Sequence, residues 1–532
     1  MHRIHHRAAR LLLGLALIAL ASPRDIAAAE SRPNILLIMS DDMGYSDAGC
    51  YGGEIATPNL DSLAEGGLRF AQFYSTGRCW PSRAAALTGY YAQQVRRDVF
   101  DEERLGARPA WAPLLPVFLR DAGYRNYHSG KWHIDGEPLD NGFDRSYLVQ
   151  DQDRFFSPTK HFLDGEAQPQ PAPDSGYYAT IAIADHAVGV LRDHARDHAG
   201  APFFHYLAFT APHFPLHALR EDIDRYRMSY LEGWDAIRRT RWERQREMKL
   251  LDTPLSALDP EILPGYNLSE ADLASRIGVG EAGRAVAWDT LSEAQKRFQA
   301  EKMAIHAAMI DRMDREIGRI LDQIKAMDAF ENTLILFVSD NGASAEQIIR
   351  GDEHDPAAPP GSAASYLCLG PGFSSAANTP FRLHKSWTHE GGITSPLIVH
   401  WPRGLQARGE IRQQVGHFID ILPTLLELSG APRPEIAGAP ALPGRSLVSS
   451  FTEDQAVDRP FLWWRHVGHS ALRQGDWKIV KRNEESTWSL HNLRTDRGEM
   501  IDLAAEEPEI AARLEGLWEE AAATFRKEAA GE

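Results

Sequence analysis

Continuous runs of apolar residues recur along this chain, and each run ends in a cluster of polar residues. Residues 35–39 lead into Asp41 and Asp42, and residues 334–338 lead into Asp340 and Asn341. An unbroken apolar run of this length is typical of a strand that is covered on both faces. Two more predicted strands lead into polar residues, the mostly apolar residues 203–209 ahead of His213 and residues 124–128, which include polar side chains, ahead of Lys131 and His133. Ligands of open α/β sheets bind beyond the carboxyl ends of the strands, so we expect the polar clusters to meet at one site.

Helical patterns separate the predicted strands. The pair Thr57-Pro58 predicts a helix that Thr57 caps, and residues 305–324 carry apolar side chains at helical spacing. Residues 220–291 are rich in charges of both signs and then in scattered prolines and glycines. We expect them to be an insertion near the mouth of the site, with most of their charges on a solvated helix surface.

After about residue 458 the apolar runs become shorter, and a helical pattern follows over residues 507–529. These runs predict a short antiparallel sheet with one packed helix. The expected fold is therefore an α/β domain over residues 30–457, in which helices flank a mostly parallel central sheet. A smaller α+β lobe over residues 458–532 is expected to complete it.

The first 29 residues have the three-part layout of a cleavable signal peptide. Arginines precede an apolar run over residues 11–21, and small residues follow it. Eleven residues are too few for a membrane span, which takes about 20. An uncleaved anchor is the alternative. We predict an exported protein, periplasmic or secreted, without stable insertion in a membrane.

The chain is acidic and poor in cysteine. Its 532 residues carry a formal net charge of −17, and cleavage after residue 29 would remove four arginines and one aspartate, which leaves −20. This charge argues against nucleic acid as a partner. The three cysteines, Cys50, Cys79 and Cys368, are too few for a disulfide framework, and whether Cys50 pairs with Cys368 stays open. The sequence does not determine the oligomeric state.

The polar clusters include a set of residues that suits a metal ion. Asp41, Asp42, Asp340 and Asn341 offer oxygen ligands alone, which favours a hard cation such as Ca²⁺ or Mg²⁺ over zinc. A large and flexible ligand shell favours calcium of the two. Each pair by itself is also a common turn sequence, so the hypothesis depends on the two pairs meeting.

Residues 79–89 predict a helix that begins at Cys79 and ends before Gly89, with Pro81 in its first turn. The spacing of four places Cys79 and Arg83 on one face, and the helix dipole adds positive potential at its start. This pattern predicts an anion site beside a cysteine that acts as a thiolate or in a modified form.

Three further residues are candidates for the same site. Lys131 and His133 would point to one side of an extended segment, where they offer a cation and a proton-transfer group. Lys385 lies in a glycine-rich segment ahead of an apolar run over residues 396–399, which gives it a place beside a strand. Taken singly, such histidines and lysines are more often structural or surface residues.

These motifs carry a family resemblance. The segment CWPSR at residues 79–83, with LTG at residues 87–89, resembles the signature of the formylglycine-dependent sulfatases of the alkaline phosphatase superfamily. The segment GKWH at residues 130–133 resembles that family's second signature. The resemblance extends from about residue 32 into the C-terminal lobe, and its one departure is Ala86, where a leucine is frequent.

The resemblance implies a hydrolase of sulfate monoesters, arylsulfatase-like, in which a formylglycine-generating enzyme oxidises Cys79 to formylglycine. It implies one calcium ion per subunit, bound by oxygen atoms of Asp41, Asp42, Asp340, Asn341 and the modified Cys79. It further implies that the hydrated aldehyde attacks sulfur and later expels sulfate. In this scheme Arg83 and Lys131 hold the diol, and His133 accepts a proton from it. His213 and Lys385 bind the sulfate oxygens and assist the leaving alcohol.

Two other functions remain open at this point. A phosphodiester or phosphonate monoester hydrolase of the same superfamily would share the fold, although such relatives typically have histidine at the position of Asn341. A non-catalytic protein that binds sulfated glycans could also keep the fold. Whether the substrate alcohol is a phenol, a sugar or an alkyl group does not follow from the sequence.

Overall fold

A mixed sheet runs through the computed structural model, which describes residues 32–98, 100, 106–173, 175–351 and 354–531. Within these residues the sheet has ten strands, in the spatial order β10 (Glu410–His417), β2 (Leu68–Tyr74), β9 (Thr394–His400), β8 (Thr333–Ser339), β1 (Asn34–Ser40), β7 (Phe203–Ala208), β3 (Arg125–Gly130), β4 (Arg145–Val149), β5 (His161–Leu163) and β6 (Glu166–Ala167). The strands from β8 to β4 are parallel, whereas β9 is antiparallel to both neighbours. The predicted mostly parallel sheet is confirmed.

The central strand β1 is covered on both faces, as its unbroken apolar run predicts. Residues 35–39 are all fully buried, and alternate side chains enter two different hydrophobic clusters. Leu36 and Ile38 belong to one cluster, and Ile35, Leu37 and Met39 belong to the other. The two-residue period of a strand therefore divides the core into one layer on each side of the sheet.

Helices supply both layers. They are α1 (Pro58–Glu65), α2 (Cys79–Thr88), α3 (Leu115–Asp121), α4 (Ala179–Asp197), α5 (Arg220–Asp224), α6 (Gly233–Glu247), α7 (Glu270–Asp272), α8 (Glu293–Ala326), α9 (Pro371–Ala377), α10 (Glu390–Ile393), α11 (Ile421–Ser429), α12 (Val448–Thr452) and α13 (Pro508–Ala530). Helices α1, α4 and α8 contribute to the cluster of Leu36, and α2, α3 and α11 contribute to that of Leu37.

Two helix starts differ from the sequence prediction. Thr57 precedes α1, but its hydroxyl accepts a hydrogen bond from the Gly49 amide and does not cap the helix. The helix predicted over residues 305–324 begins earlier, where Ser292 and Gln295 form a capping box. Its first two turns are mostly polar, so the apolar period did not reveal them.

Most of the charged residues in the insertion over residues 220–291 are exposed, as predicted, but a few are buried. Glu243 and Arg246 of α6 are exposed, but Arg238 and Arg241 are buried. The Arg241 guanidinium donates to the carboxylate of Asp47 at 2.7 Å. A buried arginine needs such a partner, and one that is almost two hundred residues away cannot be read from local charge pattern.

A second sheet follows near the C-terminus, with all its neighbouring strands antiparallel. It consists of β11 (Leu462–His466), β12 (His469–Gln474), β13 (Trp477–Lys481) and β14 (Ser489–Asn492). Helix α13 packs on it, where the indoles of Trp463 and Trp518 stack with centroids 5.6 Å apart. The predicted small sheet with one packed helix is confirmed.

Two points from the sequence concern the cysteines and the membrane. Cys50, Cys79 and Cys368 are each buried and unpaired. None of the helices in the described residues has both the length and the apolar character that crossing a bilayer requires. The signal peptide predicted over residues 1–29 lies outside the described residues.

Candidate active site

The polar clusters after β1, β7 and β8 lie side by side, as the strand order predicts. Backbone hydrogen bonds continue the parallel register beyond the strand ends. The Asp41 amide donates to the Ala211 carbonyl at 3.1 Å, and the Asp340 amide donates to the Ser40 carbonyl at 3.2 Å. These bonds place Asp41 and Asp340 next to each other independently of their side chains.

Cys79 is the first residue of α2 and is almost fully buried. The helix ends at Gly89, whose φ of 74° is the left-handed conformation that glycine adopts without strain. The Cys79 thiol interacts electrostatically with Arg83, Asp340 and Lys385. The predicted helix is therefore present, and it directs the cysteine at the group of charges that the strand ends supply.

Two ion pairs join the polar clusters to each other and to α2. Both Nε and Nη2 of Arg83 donate to Oδ2 of Asp340, at 3.0 and 2.8 Å. Lys131 Nζ donates to Oδ2 of Asp41 at 2.6 Å. All four side chains are buried. Although burial lowers the pKa of Arg83, Tyr206 and the carboxylates of Asp340 and Asp41 outweigh burial and raise the pKa above the ordinary arginine value.

Lys385 belongs to the same group, although its predicted place rested on a weak signal. Its Nζ donates to Oδ2 of Asp42 at 2.7 Å. The loop that carries it is held by two backbone bonds, from the Lys385 amide to the Ala343 carbonyl at 3.1 Å and from the Ser386 amide to the Gly77 carbonyl at 2.7 Å. Burial lowers the Lys385 pKa, but the carboxylates of Asp42 and Glu346 outweigh it and raise the pKa above the ordinary lysine value.

The oxygen-rich set fits a divalent cation. Asp41 Oδ1 and Asn341 Oδ1 are buried oxygen atoms without a hydrogen-bond partner in the described structure. The Asp41 and Asp42 carboxylates and a ring nitrogen of His213 have donor atoms within 4.8 Å of one another. Unpaired buried acceptors are rare because they are unfavourable, and a cation would satisfy them. Carboxylate and amide oxygens are the ligands of hard cations.

The backbone is strained at two of these residues. Asp42 has a φ of 63° and His133 a φ of 57°, which is the left-handed region that side chains other than glycine rarely adopt. Such strain costs about 1–3 kcal/mol per residue, and it persists where the surrounding structure holds the conformation. Both strained residues lie in the turns after strands β1 and β3 at the candidate site, and strained conformations are concentrated at the active sites of enzymes.

His213 is neutral and presents a lone pair to the site. Its Nδ1 lies 2.5 Å from the Phe214 carbonyl oxygen, a distance that requires the proton on Nδ1. Nε2 then carries a lone pair and lies 3.6 Å from Oδ2 of Asp42. Burial, together with the charge of Lys385, lowers the His213 pKa well below its usual range. His213 therefore lies beside Asp42 at the strand ends.

His133 lies at the open side of the site. It is exposed, unlike the other candidate residues, and its ring packs edge-on against Trp80 with centroids 5.7 Å apart. Lys131 and Arg83 act on it electrostatically. A histidine in this position can exchange protons with solvent, whereas the buried residues around Asp41 cannot.

Sequence reasoning missed two charged residues of the site, Arg78 and Glu346. Nη1 of Arg78 donates to Oε1 of Glu346 at 2.8 Å, and Oε2 of Glu346 lies 3.6 Å from Lys385 Nζ. The position of Arg78 next to Cys79 was an available signal. Glu346 follows the Asp340–Gly342 turn by four residues, but its segment has no strand or helix pattern that would predict its direction.

Arg78 and Glu346 carry opposite charges, so counting them does not change the net charge of the site. The described site contains four carboxylates, those of Asp41, Asp42, Asp340 and Glu346, and four cations, those of Arg78, Arg83, Lys131 and Lys385. Any divalent cation held by the carboxylates would make the site positive within an acidic chain. A positive site of this kind attracts and stabilises an anionic substrate.

A buried ionic network anchors the end of the loop that carries Lys385. Helix α10 begins at Glu390, whose amide donates to the Glu499 carboxylate at 2.7 Å. Lys478 on β13 lies 3.0 Å from the Glu390 carboxylate and 2.7 Å from that of Glu499. The C-terminal sheet therefore holds the loop through Lys478.

Replacing Lys478 with methionine is expected to lower the free energy of unfolding by about 3–5 kcal/mol, because two buried carboxylates lose their shared partner. Lys481→Met on the same strand is the matched control, since Lys481 is only partly buried and faces the Trp488 ring. We expect a change of about 0.5 kcal/mol or less for it. Equilibrium unfolding in urea measures both, and equal small changes would contradict the role of the network.

The insertion over residues 220–291, predicted near the mouth of the site, reaches it, and the loop over residues 151–175 lies on another side. The ring of Tyr266, in the insertion, lies 5.9 Å from the Arg78 guanidinium. On the other side, Arg350 forms an ion pair with Asp153 of the loop over residues 151–175. The Arg350 guanidinium lies 5.6 Å from the Phe214 ring, which packs against His213.

The geometry agrees with comparisons to known proteins. A family model described as Sulfatase matches residues 33–431, and a model described as N-sulphoglucosamine sulphohydrolase, C-terminal, matches residues 382–524. An uncharacterised sulfatase of Schizosaccharomyces pombe is 30% identical over 546 residues, covering 92% of this chain and 93% of that protein. An arylsulfatase of Klebsiella aerogenes is 29% identical over 463 residues, covering 78% of this chain and 91% of that protein.

A solved structure shares the fold. The crystal structure of Ps i-CgsB in complex with k-i-k-neocarrahexaose superposes with a TM-score of 0.66, at 23% identity and with 94% of each chain covered.

Proposed function

Because this chain belongs to the sulfatase family, we propose that it hydrolyses sulfate monoesters with a bound calcium ion and with Cys79 oxidised to formylglycine. One observation carries this proposal. Cys79 begins α2 beside Arg83, and it interacts with the same buried group of charges that contains the unpaired oxygens of Asp41 and Asn341. A thiolate is a poor match for this group of oxygen ligands, whereas an oxygen at position 79 would suit it.

Asp41, Asp42, Asp340 and Asn341 would hold the calcium ion. A bound ion would neutralise charge on neighbouring oxygens and stabilise the charge that develops on a sulfate group. The chain prepares this site by pairing each carboxylate with a fixed cation, as in Asp41 with Lys131 and Asp42 with Lys385. The like charges can then lie close together before the ion binds.

As formylglycine, Cys79 would supply a hydrated aldehyde whose oxygen attacks sulfur. The chain contributes orientation and charge to this step. The start of α2 and the Arg83 guanidinium both place positive potential at residue 79. Arg83 cannot move toward a substrate, because its Nε and Nη2 are held by Asp340 and its Nη1 by the Lys131 carbonyl. We assign it to holding the nucleophile.

Proton transfer divides between the histidines and Lys385. The exposed His133 is the proposed acceptor for the proton that the nucleophile loses, since it alone of the candidate residues has access to solvent. His213, with Nδ1 engaged by Phe214, offers a lone pair and no proton at Nε2. We therefore assign assistance of the leaving oxygen to Lys385, which carries three donor hydrogens. Binding of sulfate oxygens by His213 would require a proton on Nε2.

Adding calcium to chelator-treated enzyme is expected to restore turnover of 4-nitrophenyl sulfate and to stabilise the fold. At a free calcium concentration 100-fold above Kd, the free energy of unfolding rises by about 2.7 kcal/mol through mass action alone. Thermal unfolding with and without calcium measures this rise. The variant Asn341→Ala should need more calcium for the same rise, and an unchanged calcium dependence would remove Asn341 from the metal site.

The same preparation tests the choice of substrate. We expect 4-nitrophenyl sulfate to be turned over in preference to bis(4-nitrophenyl) phosphate and to phenylphosphonate esters. A preference for the phosphodiester would favour the related hydrolases that share this fold. Aryl sulfates serve here as assay substrates, and arylsulfatase activity is part of the proposal.

Maturation belongs to the proposal as well. Cys79 needs a formylglycine-generating enzyme as a transient partner, and the signal peptide predicted over residues 1–29 would deliver the enzyme to the periplasm or the medium. Cys79 is almost fully buried in the folded chain. We therefore propose that oxidation takes place before folding is complete.

A further inference from the structure

A cavity of about 260 Å³ adjoins the candidate active site, with Lys385 and Glu346 in its wall. We infer that this cavity receives the alcohol part of the sulfate ester and takes a single uncharged, hydroxylated ring. The inference rests on the function proposed above and adds the class of alcohol. Its far wall comes from two distant parts of the chain, Tyr266 in the insertion and His469 and Asn483 at the C-terminal sheet.

The position of the cavity relates it to the leaving group. Lys385 is the residue proposed to assist the leaving oxygen, so the alcohol must lie on the Lys385 side of the sulfur atom. Glu346, also in the wall, binds both Arg78 and Lys385. The cavity therefore begins at the charged groups next to residue 79 and extends away from them toward the surface.

Aromatic rings line the cavity. The Tyr266 side chain is 58% exposed, and the Arg78 guanidinium lies 5.9 Å from its ring centroid. The Trp387 indole packs against the His469 ring, with centroids 5.6 Å apart. Aromatic faces of this kind pack well against the flat side of a six-membered ring, whether sugar or phenol.

The polar groups of the cavity wall distinguish a sugar ring from a phenol ring. The Asn483 amide donates to Nδ1 of His469 at 3.1 Å, which places the proton of the neutral imidazole on Nε2. His469 Nε2 is then a donor, while the exposed side chains of Asn483 and Glu484 add a donor and several acceptors. Ring hydroxyls can both donate and accept, and so can use this set. A phenol ester has no hydroxyl that could form hydrogen bonds with these polar groups.

The size of the cavity and the charge of its wall further restrict the class of alcohol that it can accept. A volume of about 260 Å³ is below the range of about 300–1,000 Å³ typical of drug-sized ligands, so it suits one ring and not a chain of rings. Two carboxylates, those of Glu346 and Glu484, belong to the wall. Glu346 is neutralised by its two cations, but Glu484 at the outer rim would repel a second sulfate or a uronate on the same ring. The structure therefore assigns this cavity to monosulfated neutral monosaccharides or to a terminal residue of that kind.

The test compares matched substrates on the fully modified, calcium-loaded enzyme. The panel consists of monosulfates of monosaccharides that carry no other charge. We expect turnover of at least one of them, with a kcat/KM about tenfold above that of its disulfated counterpart. Asn483→Ala should lower kcat/KM for that monosulfate about 5- to 10-fold, the effect of one lost hydrogen bond, and leave 4-nitrophenyl sulfate within about twofold. Tyr266→Ala should lower kcat/KM for both, because both rings pack on Tyr266.

Two more variants complete the design. Glu484→Gln removes the rim charge and should reduce the preference for the monosulfate over its disulfated counterpart. Gln455→Ala replaces an exposed amide outside the cavity wall and should change nothing. Turnover of 4-nitrophenyl sulfate without turnover of any monosulfate of a neutral monosaccharide would overturn the inference and leave the proposed function intact. An equal effect of Asn483→Ala on both substrates would also overturn it. Failure to hydrolyse either class would overturn the proposed function and the inference together.

Discussion

Replacing Cys79 with alanine is expected to lower turnover of 4-nitrophenyl sulfate by about 10⁴- to 10⁶-fold, the range seen when a covalent nucleophile is removed from an enzyme. The loss follows from the position of the residue. Position 79 lies where the start of α2, Arg83 and the proposed metal ligands, such as Asp340, come together. Alanine keeps the helix and removes the atom that carries the reaction.

The control for this variant is another cysteine. Cys368 is buried and unpaired like Cys79, and it lies in a hydrophobic cluster with Phe214 and Tyr366. Cys368→Ala should keep turnover close to that of the wild type. Thermal unfolding of both variants separates a catalytic loss from a loss of stability.

Mass spectrometry of the peptide around Cys79 gives a readout that does not depend on activity. An aldehyde at this position would lower the peptide mass by about 18 Da relative to cysteine. The expected wild-type result is this lower mass in protein from a host that has the modifying enzyme. A fully active enzyme with an intact thiol at Cys79 would contradict the proposed chemistry, whereas an inactive one with an intact thiol would point to failed maturation.

Lys385→Ala is expected to lower turnover by about 10²- to 10³-fold, or roughly 3–4 kcal/mol in activation free energy, as for the loss of one group that stabilises a developing oxyanion. Lys385 Nζ lies 2.7 Å from the Asp42 carboxylate and borders the cavity proposed for the alcohol. Its removal takes away a fixed positive charge and the proposed donor to the leaving oxygen. Initial rates on fully modified protein measure the effect.

The leaving group provides a sharper test of this role. A poor leaving alcohol needs assistance more than 4-nitrophenol does, so the loss in Lys385→Ala should grow as the pKa of the alcohol rises. Lys302→Ala is the matched control, because Lys302 is also fully buried and pairs with a carboxylate, that of Glu281, at 2.6 Å. It should lose stability without losing turnover at temperatures where it is folded. Near-wild-type turnover of Lys385→Ala would remove Lys385 from the site.

The strands and the residues at their ends could be predicted from the sequence because each depends on adjacent residues. An apolar run such as residues 35–39 determines its own burial, and Asp41 follows it by chain connectivity alone. The start of α2 at Cys79 is equally local, since a proline in the first turn and a glycine after the last turn define the helix. The convergence of the strand ends then follows from the parallel sheet.

Partners that are distant in the chain could not be predicted in this way. Glu346 binds Arg78 from 268 positions away, and Lys478 binds Glu390 from the other sheet. The same holds for Arg241, one of the few buried charged residues of the insertion, which pairs with Asp47. Charged residues have similar local patterns whether they are solvated or paired, because the pattern does not contain the position of the counter-charge.

The sequence by itself determined the fold class, the strand-end clusters and the family motifs around Cys79. Only the tertiary structure decided which charges share the site and how the wall of the adjoining cavity is built, from Tyr266, Lys385 and Asn483. The physical reason for this division is the range along the chain over which each feature is determined. Backbone pattern and local packing depend on neighbours along the chain, whereas ion pairs and cavities depend on distances between segments that only the folded chain brings together.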